Sequence, residues 1–176
     1  VCLMRLAKIR LAAESDIDAL VKIDRAAYGT YGASKEYFER RLRSKSSVIL
    51  VVEENWKLTG FIVFQLLNEG EVPEDFSDMR LKTPITGKYM FTAAFTTATN
   101  YKDKDADSKL LLTAEKVAKS NGCVEAYVPL SKDHPFKRNG VFDFWQTNGY
   151  RRVGGITWTP DSAEAVGCWV FTKRLS

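Results

Sequence analysis

The chain has 176 residues, 45% of them hydrophobic, and its 26 Lys and Arg residues against 22 Asp and Glu residues give a formal net charge of +4. This length suffices for one well-buried core and is too short for two ordinary domains, so we expect a single compact domain over residues 1–176. The basic residues are dispersed along the chain, so the composition neither indicates nor excludes a nucleic-acid partner.

Cysteine usage and hydropathy predict the compartment. The three cysteines, Cys2, Cys123 and Cys168, match neither a metal-binding pattern nor a CxxC spacing. A disulfide framework is therefore not expected, which favours a reducing, cytoplasmic environment. The longest apolar runs, such as Val48–Val52, fall far below the length that spans a bilayer, and the opening residues lack a signal-peptide pattern. We expect a soluble protein with no membrane partner.

Two helices are predicted after a short first strand. Residues Lys8–Ala12 favour the strand, and Ser15 with Asp18 three positions later resembles a capping box that starts the first helix. Ser34 can cap a second helix over Lys35–Arg43.

The second helix carries a basic face, and a strand pair and an acidic loop follow it. We expect the arginines at 40, 41 and 43 to form a solvated outer face. Residues Val48–Glu53 and Lys57–Leu67 are rich in β-branched and aromatic side chains, which favours a hairpin. The long acidic run Asn68–Lys88 contains two prolines and is predicted to be a loop.

The second half of the chain alternates strands and helices. An amphipathic helix with apolar positions from Leu110 to Ala118 ends at Gly122. The other predicted elements are strands at Tyr89–Ala98, Cys123–Leu130, Tyr150–Thr159 and Val166–Leu175, and a short helix at Val141–Asn148.

Three local sequences carry a resemblance to a known family: IRLAAESDIDAL near the start, SKLLLTAEKVAKSNG in the amphipathic helix, and FDFWQTNGYRRVG late in the chain. Together with the order of elements, they resemble the GNAT N-acetyltransferase superfamily over nearly the whole chain. The resemblance implies an α/β (α+β) fold with a single GNAT-like domain, a mixed, mostly antiparallel central sheet of about seven strands and about four flanking helices. It also implies acetyl-CoA as cofactor and a small-molecule or protein amine as acceptor, and it allows a homodimer.

The family's phosphate-binding loop has a changed counterpart here. In the family, a Q/R-x-x-G-x-G/A loop and the following helix N-terminus bind the coenzyme A pyrophosphate. The matching segment places Lys102 at the first position and puts Asp105 and Asp107 where small residues belong. By this resemblance, the coenzyme-binding positions are Thr97, Ala98, Thr99, Lys102, Asp103, Lys104, Asp105, Ala106, Asp107 and Ser108.

The aspartates of this loop leave three interpretations open. A rearranged loop can still bind the pyrophosphate if Lys102, Lys104 and Lys109 offset part of the repulsion, which is roughly 1 to 4 kcal/mol between like charges about 4 Å apart. Aspartates at a helix N-terminus also cap free N–H groups and complement the macrodipole, so a self-capped helix is one alternative. The spacing of Asp103, Asp105 and Asp107 further matches the start of a calcium loop, although Ser108 and Ala114 occupy positions where that motif needs Gly and an acid.

The catalytic candidates are substitutes for groups that the family often has. Trp145 stands where many members place a tyrosine acid, and the predicted strand Tyr89–Ala98 holds no carboxylate base. The candidates are Tyr127 and Glu125, which alternate onto one face of the predicted fifth strand, and His134, the only histidine. For each of these, packing or solvent exposure is the alternative role. Further phenols near the first helix break are Tyr28 and Tyr31.

Three functions are consistent with these observations. The first is an N-acyltransferase that moves an acetyl or acyl group from acetyl-CoA to an amine acceptor, with backbone N–H groups of the fourth strand stabilising the oxyanion. The second is a catalytically degenerate GNAT-fold binding or regulatory protein that no longer binds coenzyme A. The third is a transferase whose donor lacks a pyrophosphate at this loop.

Overall fold

The computed structural model describes residues 7–76, 86–159 and 164–175. Within them the strands are β1 (Lys8–Leu11), β2 (Ser47–Glu54), β3 (Lys57–Leu67), β4 (Tyr89–Thr97), β5 (Glu125–Ser131), β6 (Arg151–Trp158) and β7 (Val166–Arg174). The α-helices are α1 (Ile17–Tyr28), α2 (Lys35–Arg43), α3 (Lys104–Ser120) and α4 (Val141–Thr147). No helix in the described ranges has the length and apolarity needed to cross a bilayer.

The strands form one mixed sheet in the order β1-β2-β3-β4-β5-β7-β6. The β4–β5 pair is parallel and every other neighbouring pair is antiparallel. This seven-stranded sheet, with the four α-helices beside it, confirms the predicted mixed, mostly antiparallel fold.

The helices cover both faces of the sheet. On one face, Leu110 and Ala114 of α3 and Phe144 of α4 pack against strand residues such as Ile62. On the other face, α1 and α2 cover a second cluster, which contains Ile17, Leu20, Phe38, Ile49, Val51, Phe61 and Val63. Burial on both faces explains why the central strands are almost continuously apolar.

A gap opens in the sheet between β4 and β5. These strands pair only over Tyr89–Phe91 and Glu125–Tyr127, although both continue further. On the other side of β4, Val63 pairs with Ala94 and Phe64 with Thr92, so Ala93 is the extra residue of a β-bulge. The bulge comes two residues after the last residue of β4 that pairs with β5. Since a bulge bends its strand, it helps to turn β4 away from β5.

Most element boundaries match the predictions to within one or two residues. Helix α2 begins and ends as predicted, and the Ser34 hydroxyl accepts the Tyr37 N–H at 3.2 Å. The predicted Ser15 and Asp18 capping box is wrong. A 3₁₀ turn at Glu14–Asp16 precedes α1 instead, and Asp16 accepts the Ala13 N–H at 2.7 Å. Ser15 lies inside this turn and is therefore not the residue before the helix, and Asp16 also pairs with Arg10 at 2.8 Å.

The prediction of a solvated arginine face on α2 is wrong for Arg41. Its side chain is 0% exposed, its Nη1 lies 3.1 Å from Glu74 Oε2, and its guanidinium lies over the Tyr37 ring. Arg40 also pairs with Glu74, at 3.0 Å. The two arginines therefore hold the first part of the predicted acidic loop against α2. Residues 77–85 of that loop lie outside the described residues.

A buried carboxylate joins α3 to the edge of the sheet formed by β6 and β7. Glu115 accepts the Tyr150 hydroxyl at 2.8 Å and lies 2.6 Å from Lys173 Nζ. Burial, together with the charge of Glu115, raises the pKa of Tyr150. This contact helps to fix the orientation of α3.

Candidate active site

A cavity of about 870 Å³ lies where β4 and β5 diverge. Its wall is built from α1, α2, the ends of β4 and β5, and parts of β6 and β7. The volume is typical of a small-molecule site, and the wall combines many aromatic side chains with a few polar groups. The polar and aromatic residues of this wall include Asp24, Tyr28, Thr92, Thr96, Tyr101 and His134.

Asp24 brings a buried carboxylate to the cavity. It follows Ile17 and Leu20 at helical spacing on the buried face of α1 and is 4% exposed. Its Oδ1 accepts the Thr96 hydroxyl at 2.8 Å, and its Oδ2 accepts the Ala33 N–H at 2.6 Å. Burial raises the pKa of this carboxyl above its ordinary value, against the effect of the two hydrogen bonds. A carboxylate with a raised pKa beside β4 is suited to accepting a proton.

Two tyrosines, Tyr28 and Tyr101, line the cavity together with Asp24. The Tyr28 hydroxyl is directed at the Phe95 carbonyl oxygen, 3.4 Å away. Burial raises the pKa of Tyr28 well above its ordinary value, and the charges of Tyr101 and Asp24 raise it further. Burial also raises the pKa of Tyr101. Both phenols therefore keep their protons at neutral pH and act as hydrogen-bond donors.

The Tyr101 backbone is strained. Asn100 and Tyr101 have φ angles of 49° and 69°, in the left-handed region that non-glycine residues rarely adopt. The Tyr101 ring is packed between Phe95 and Phe144, with centroids 5.7 and 5.1 Å away. Strain of this kind persists only where surrounding contacts hold it, and it is found mainly at functional sites.

Two buried polar atoms of the cavity wall lack a protein partner. Thr92 is 1% exposed, and its hydroxyl has no hydrogen-bond partner among the described residues. The indole N–H of Trp145 lies near the Tyr101 hydroxyl and lowers the pKa of that phenol, but the two groups do not meet in hydrogen-bond geometry. Unpaired buried donors are rare in folded proteins, so these two atoms are free to bond a group inside the cavity.

His134 also lines the cavity. Its ring contacts those of Tyr28 and Tyr101, with centroids 5.8 and 5.9 Å away, and burial lowers its pKa to about 4. Its Nδ1 accepts the Phe136 N–H at 3.1 Å, so the neutral ring carries its proton on Nε2. Because the only lone pair is already engaged, this histidine serves as a hydrogen-bond donor at neutral pH.

Tyr127 and Glu125 lie away from the cavity. The Tyr127 hydroxyl donates to Glu125 Oε2 at 2.7 Å, and the ring packs edge-on against Tyr89. Both residues belong to the segment of β5 that is still paired with β4, and neither lines the cavity. The structure thus brings this predicted pair together at a place that a cavity ligand does not reach.

The loop before α3 is closed by its own carboxylates. Asp103 is the N-cap residue, and its Oδ1 accepts the Ala106 N–H at 3.2 Å. Asp107 is 2% exposed and accepts the Thr99 hydroxyl, with oxygen separations of 2.9 and 3.0 Å. Burial raises the pKa of Asp107, whereas hydrogen bonds from Thr99, Thr97 and the Tyr101 N–H lower it. This geometry corresponds to the self-capped helix alternative.

The loop residues do not fit a pyrophosphate or a metal ion. The Asp107 carboxylate already accepts the Thr99 hydroxyl beside the helix N-terminus, and its charge repels a second anion there. Lys102, Lys104, Asp105 and Ala106 are exposed. Over the described part of the chain, no group of three His, Cys, Asp or Glu side chains is placed to hold a metal ion, Asp103, Asp105 and Asp107 included.

Sequence reasoning missed Asp24, Thr92 and Tyr101 as site residues. Asp24 carried a usable signal, because it is the polar residue at an apolar-face position of α1. Thr92 and Tyr101 carried none, since their exposure to the cavity depends on the separation of β4 from β5.

Comparison with known proteins identifies the fold. No protein-family model and no curated protein sequence matches the chain. Among solved structures, it resembles the ribosomal-protein-S18-alanine N-acetyltransferase from Escherichia coli, with a TM-score of 0.70, 12% identity, and coverage of 97% of this chain and 95% of that one. It also resembles the PaiA N-acetyltransferase from Thermoplasma acidophilum in complex with coenzyme A, with a TM-score of 0.61, 19% identity, and coverage of 97% and 99%. A third is the NAA60 protein of Arabidopsis thaliana in complex with acetyl-CoA, with a TM-score of 0.72, 14% identity, and coverage of 96% and 98%.

These structures confirm the GNAT acetyltransferase fold. At these identities the likeness establishes the fold alone, so substrates and site residues are inferred from the chain's own geometry.

Proposed function

We propose that the protein is an N-acyltransferase that moves an acetyl or acyl group from a thioester to an amine. Acetyl-CoA is the first donor to test, because solved structures of this fold contain it. The observation that carries the proposal is the cavity at the β4–β5 divergence, with the buried Asp24 carboxylate and the unpaired Thr92 hydroxyl in its wall. A buried carboxylate and an unpaired hydroxyl around an open space are typical of a ligand-binding or catalytic site.

Asp24 is proposed as the base for the acceptor. Its contact with Thr96 places a carboxylate beside β4, the strand on which a base was expected and is missing. The attacking amine nitrogen forms a bond to the thioester carbonyl carbon and transfers a proton to Asp24. Backbone N–H groups near the Ala93 bulge are proposed to stabilise the negative oxygen that develops.

Tyr101 is proposed to stabilise the leaving group. Trp145 occupies the position of the tyrosine acid that the family resemblance implies, and the Tyr101 hydroxyl lies near that indole. As the bond between carbon and sulfur breaks, the Tyr101 O–H donates a hydrogen bond to the thiolate, which takes up a proton from solvent on release. The proton held by Asp24 returns to solvent, so both groups are restored for the next cycle.

The other predicted site residues have supporting roles in this proposal. His134 donates from Nε2 into the cavity and orients a substrate, since its Nδ1 is engaged. Tyr127 and Glu125 stabilise the paired end of β4 and β5. The acceptor is a small-molecule or protein amine, and a cytoplasmic location and a homodimer remain proposals.

A second candidate is a binding or regulatory protein that carries out no transfer. The observation that favours it is the buried Asp107 carboxylate at the position where the resemblance places coenzyme phosphates. Such a protein binds a small molecule in the cavity and releases it unchanged.

The test is an acyl-transfer assay on the purified protein. Acetyl-CoA is supplied with amines of several classes, including peptide N-termini, lysine peptides, polyamines and aminoglycosides. Thiol release and the mass of the acetylated product are both measured. We expect one amine class to be acetylated, and Tyr101→Phe to lower kcat about 100-fold.

Tyr127→Phe is the matched control, because it removes a buried phenol hydroxyl outside the cavity. It is expected to keep kcat within about threefold of wild type. Ligand binding without transfer to any amine contradicts the first candidate and supports the second.

A further inference from the structure

We propose that the acyl donor is recognised through its acyl and pantetheine-like arm, and that a nucleotide pyrophosphate makes no contribution to its binding. This inference rests on the proposed acyl transfer and specifies its substrate. It assigns the donor to the class of thioesters that lack a phosphate group at the α3 N-terminus, such as an acylated pantetheine.

The first argument concerns the donors at the helix N-terminus. Anions bind such a terminus because its first N–H groups and nearby hydroxyls have no partner. Here the Ala106 N–H is capped by Asp103, and the Thr99 hydroxyl donates to Asp107. One helix N–H and one neighbouring hydroxyl that a pyrophosphate would use are therefore bonded to the chain's own carboxylates.

The second argument concerns charge. Asp107 is 2% exposed, so solvent screens its carboxylate poorly against a neighbouring phosphate. Lys102, Lys104 and Lys109 are exposed and contribute only screened surface charge. The local field at this terminus therefore opposes an incoming anion.

The third argument is that Asp107 has another task. Its carboxylate accepts the hydroxyl of Thr99, two residues before Tyr101, whose backbone is left-handed at φ 69°. Moving Asp107 aside to admit a phosphate releases the contact that helps to hold Tyr101 in the cavity. A loop that positions a catalytic tyrosine through a buried aspartate is thus incompatible with the same loop holding a pyrophosphate.

The cavity offers contacts for the remainder of the donor. Thr92 and Trp145 present a hydroxyl and an N–H without satisfactory partners, and both are suited to the carbonyl and amide groups of a pantetheine arm. The open edges of β4 and β5 beyond Phe91 and Tyr127 lie beside them.

The experiment compares two donors that differ only in the nucleotide portion, acetyl-CoA and S-acetylpantetheine. Affinity is measured by calorimetric titration and kcat/KM by thiol release. We expect the two donors to agree within about tenfold in both quantities. Inorganic pyrophosphate at millimolar concentration is expected not to inhibit. A preference of about 100-fold or more for acetyl-CoA, or competition by pyrophosphate, overturns the inference.

Two variants that each remove one negative charge distinguish the effect of the buried aspartate from the effect of the loop's net charge. Asp107→Ala removes a buried charge and frees the Thr99 hydroxyl, whereas Asp105→Ala removes an exposed charge from the same loop. We expect Asp107→Ala to raise the preference for acetyl-CoA over S-acetylpantetheine at least about tenfold and Asp105→Ala to change it less than about threefold. Equal changes in the two variants contradict the inference.

The wild-type pyrophosphate competition does not depend on whether Asp107→Ala folds. Binding of both donors without transfer contradicts the proposed function and leaves the donor comparison valid. No binding of either donor contradicts both proposals.

Discussion

Replacing Asp24 with asparagine tests the proposed base directly. The carboxylate is 4% exposed and bridges α1, the segment before α2, and β4 through Ala33 N–H and Thr96. Asparagine keeps the size and shape of the side chain. Its carbonyl oxygen can accept the Ala33 N–H, and the Thr96 hydroxyl can turn to accept from the amide nitrogen, so both contacts persist without a charge.

The expected effects on stability and rate differ greatly. Asp24→Asn keeps an acceptor for the Ala33 N–H and a bond to Thr96, and it removes a buried charge, so it should change the free energy of unfolding by less than about 2 kcal/mol. Asp24→Ala leaves the Ala33 N–H and the Thr96 hydroxyl without their acceptor, at about 1 to 3 kcal/mol for each orphaned group. Loss of a positioned base should lower kcat about 100- to 10,000-fold in either variant.

The pH dependence follows from the raised pKa. Because burial raises the folded-state pKa of Asp24 above 3.8, the folded protein binds this proton more tightly than the unfolded chain does. The contribution to stability is therefore fully present below the unfolded pKa and is lost as the pH rises through the folded pKa. The rate has the opposite trend, because the base acts only when ionised.

The assay is kcat and KM as a function of pH, with denaturant unfolding of the same samples. Wild type should lose activity as the pH falls through the raised pKa, and Asp24→Asn should lack this acidic limb. A folded Asp24→Asn protein with kcat within about threefold of wild type would refute the assignment of the base.

Three further substitutions, two of them paired with a comparison variant, test buried polar side chains of the cavity wall and of the core. Thr92→Val should raise the melting temperature, because it removes an unpaired buried hydroxyl that costs about 1 to 3 kcal/mol, and should weaken donor binding in a calorimetric titration. Arg41→Ala should lower the free energy of unfolding by about 2 to 5 kcal/mol in a urea titration, whereas the exposed Arg43→Ala should stay within about 0.5 kcal/mol; equal effects would contradict the burial of Arg41. Glu115→Ala should cost about 1 to 3 kcal/mol by the same measurement, because a buried phenol hydroxyl loses its acceptor, and Lys173→Met should cost less because that side chain is 22% exposed.

The sequence by itself determined the elements and their order. Helix α2 matches its predicted range, Lys35–Arg43, because a serine cap and an apolar periodicity are local signals that need no tertiary contact. The strand pair β2 and β3 was equally readable from its β-branched and aromatic content. The order of these elements, together with the resemblance to the GNAT superfamily, predicted the sheet and its fold class.

Only the tertiary structure decided which polar residues face the cavity. Asp24 and Thr96 are 72 positions apart, and neither residue alone indicates that they share a hydrogen bond. In sequence Arg41 cannot be distinguished from Arg40 and Arg43, and only the folded structure shows that it is buried against Glu74 and Tyr37. Asp107 differs from Asp105 only in that its side chain is turned inward onto Thr99. Burial and partners are properties of distant segments brought together, and they set the charge, the pKa and the chemical role of a side chain whose type the sequence alone supplies.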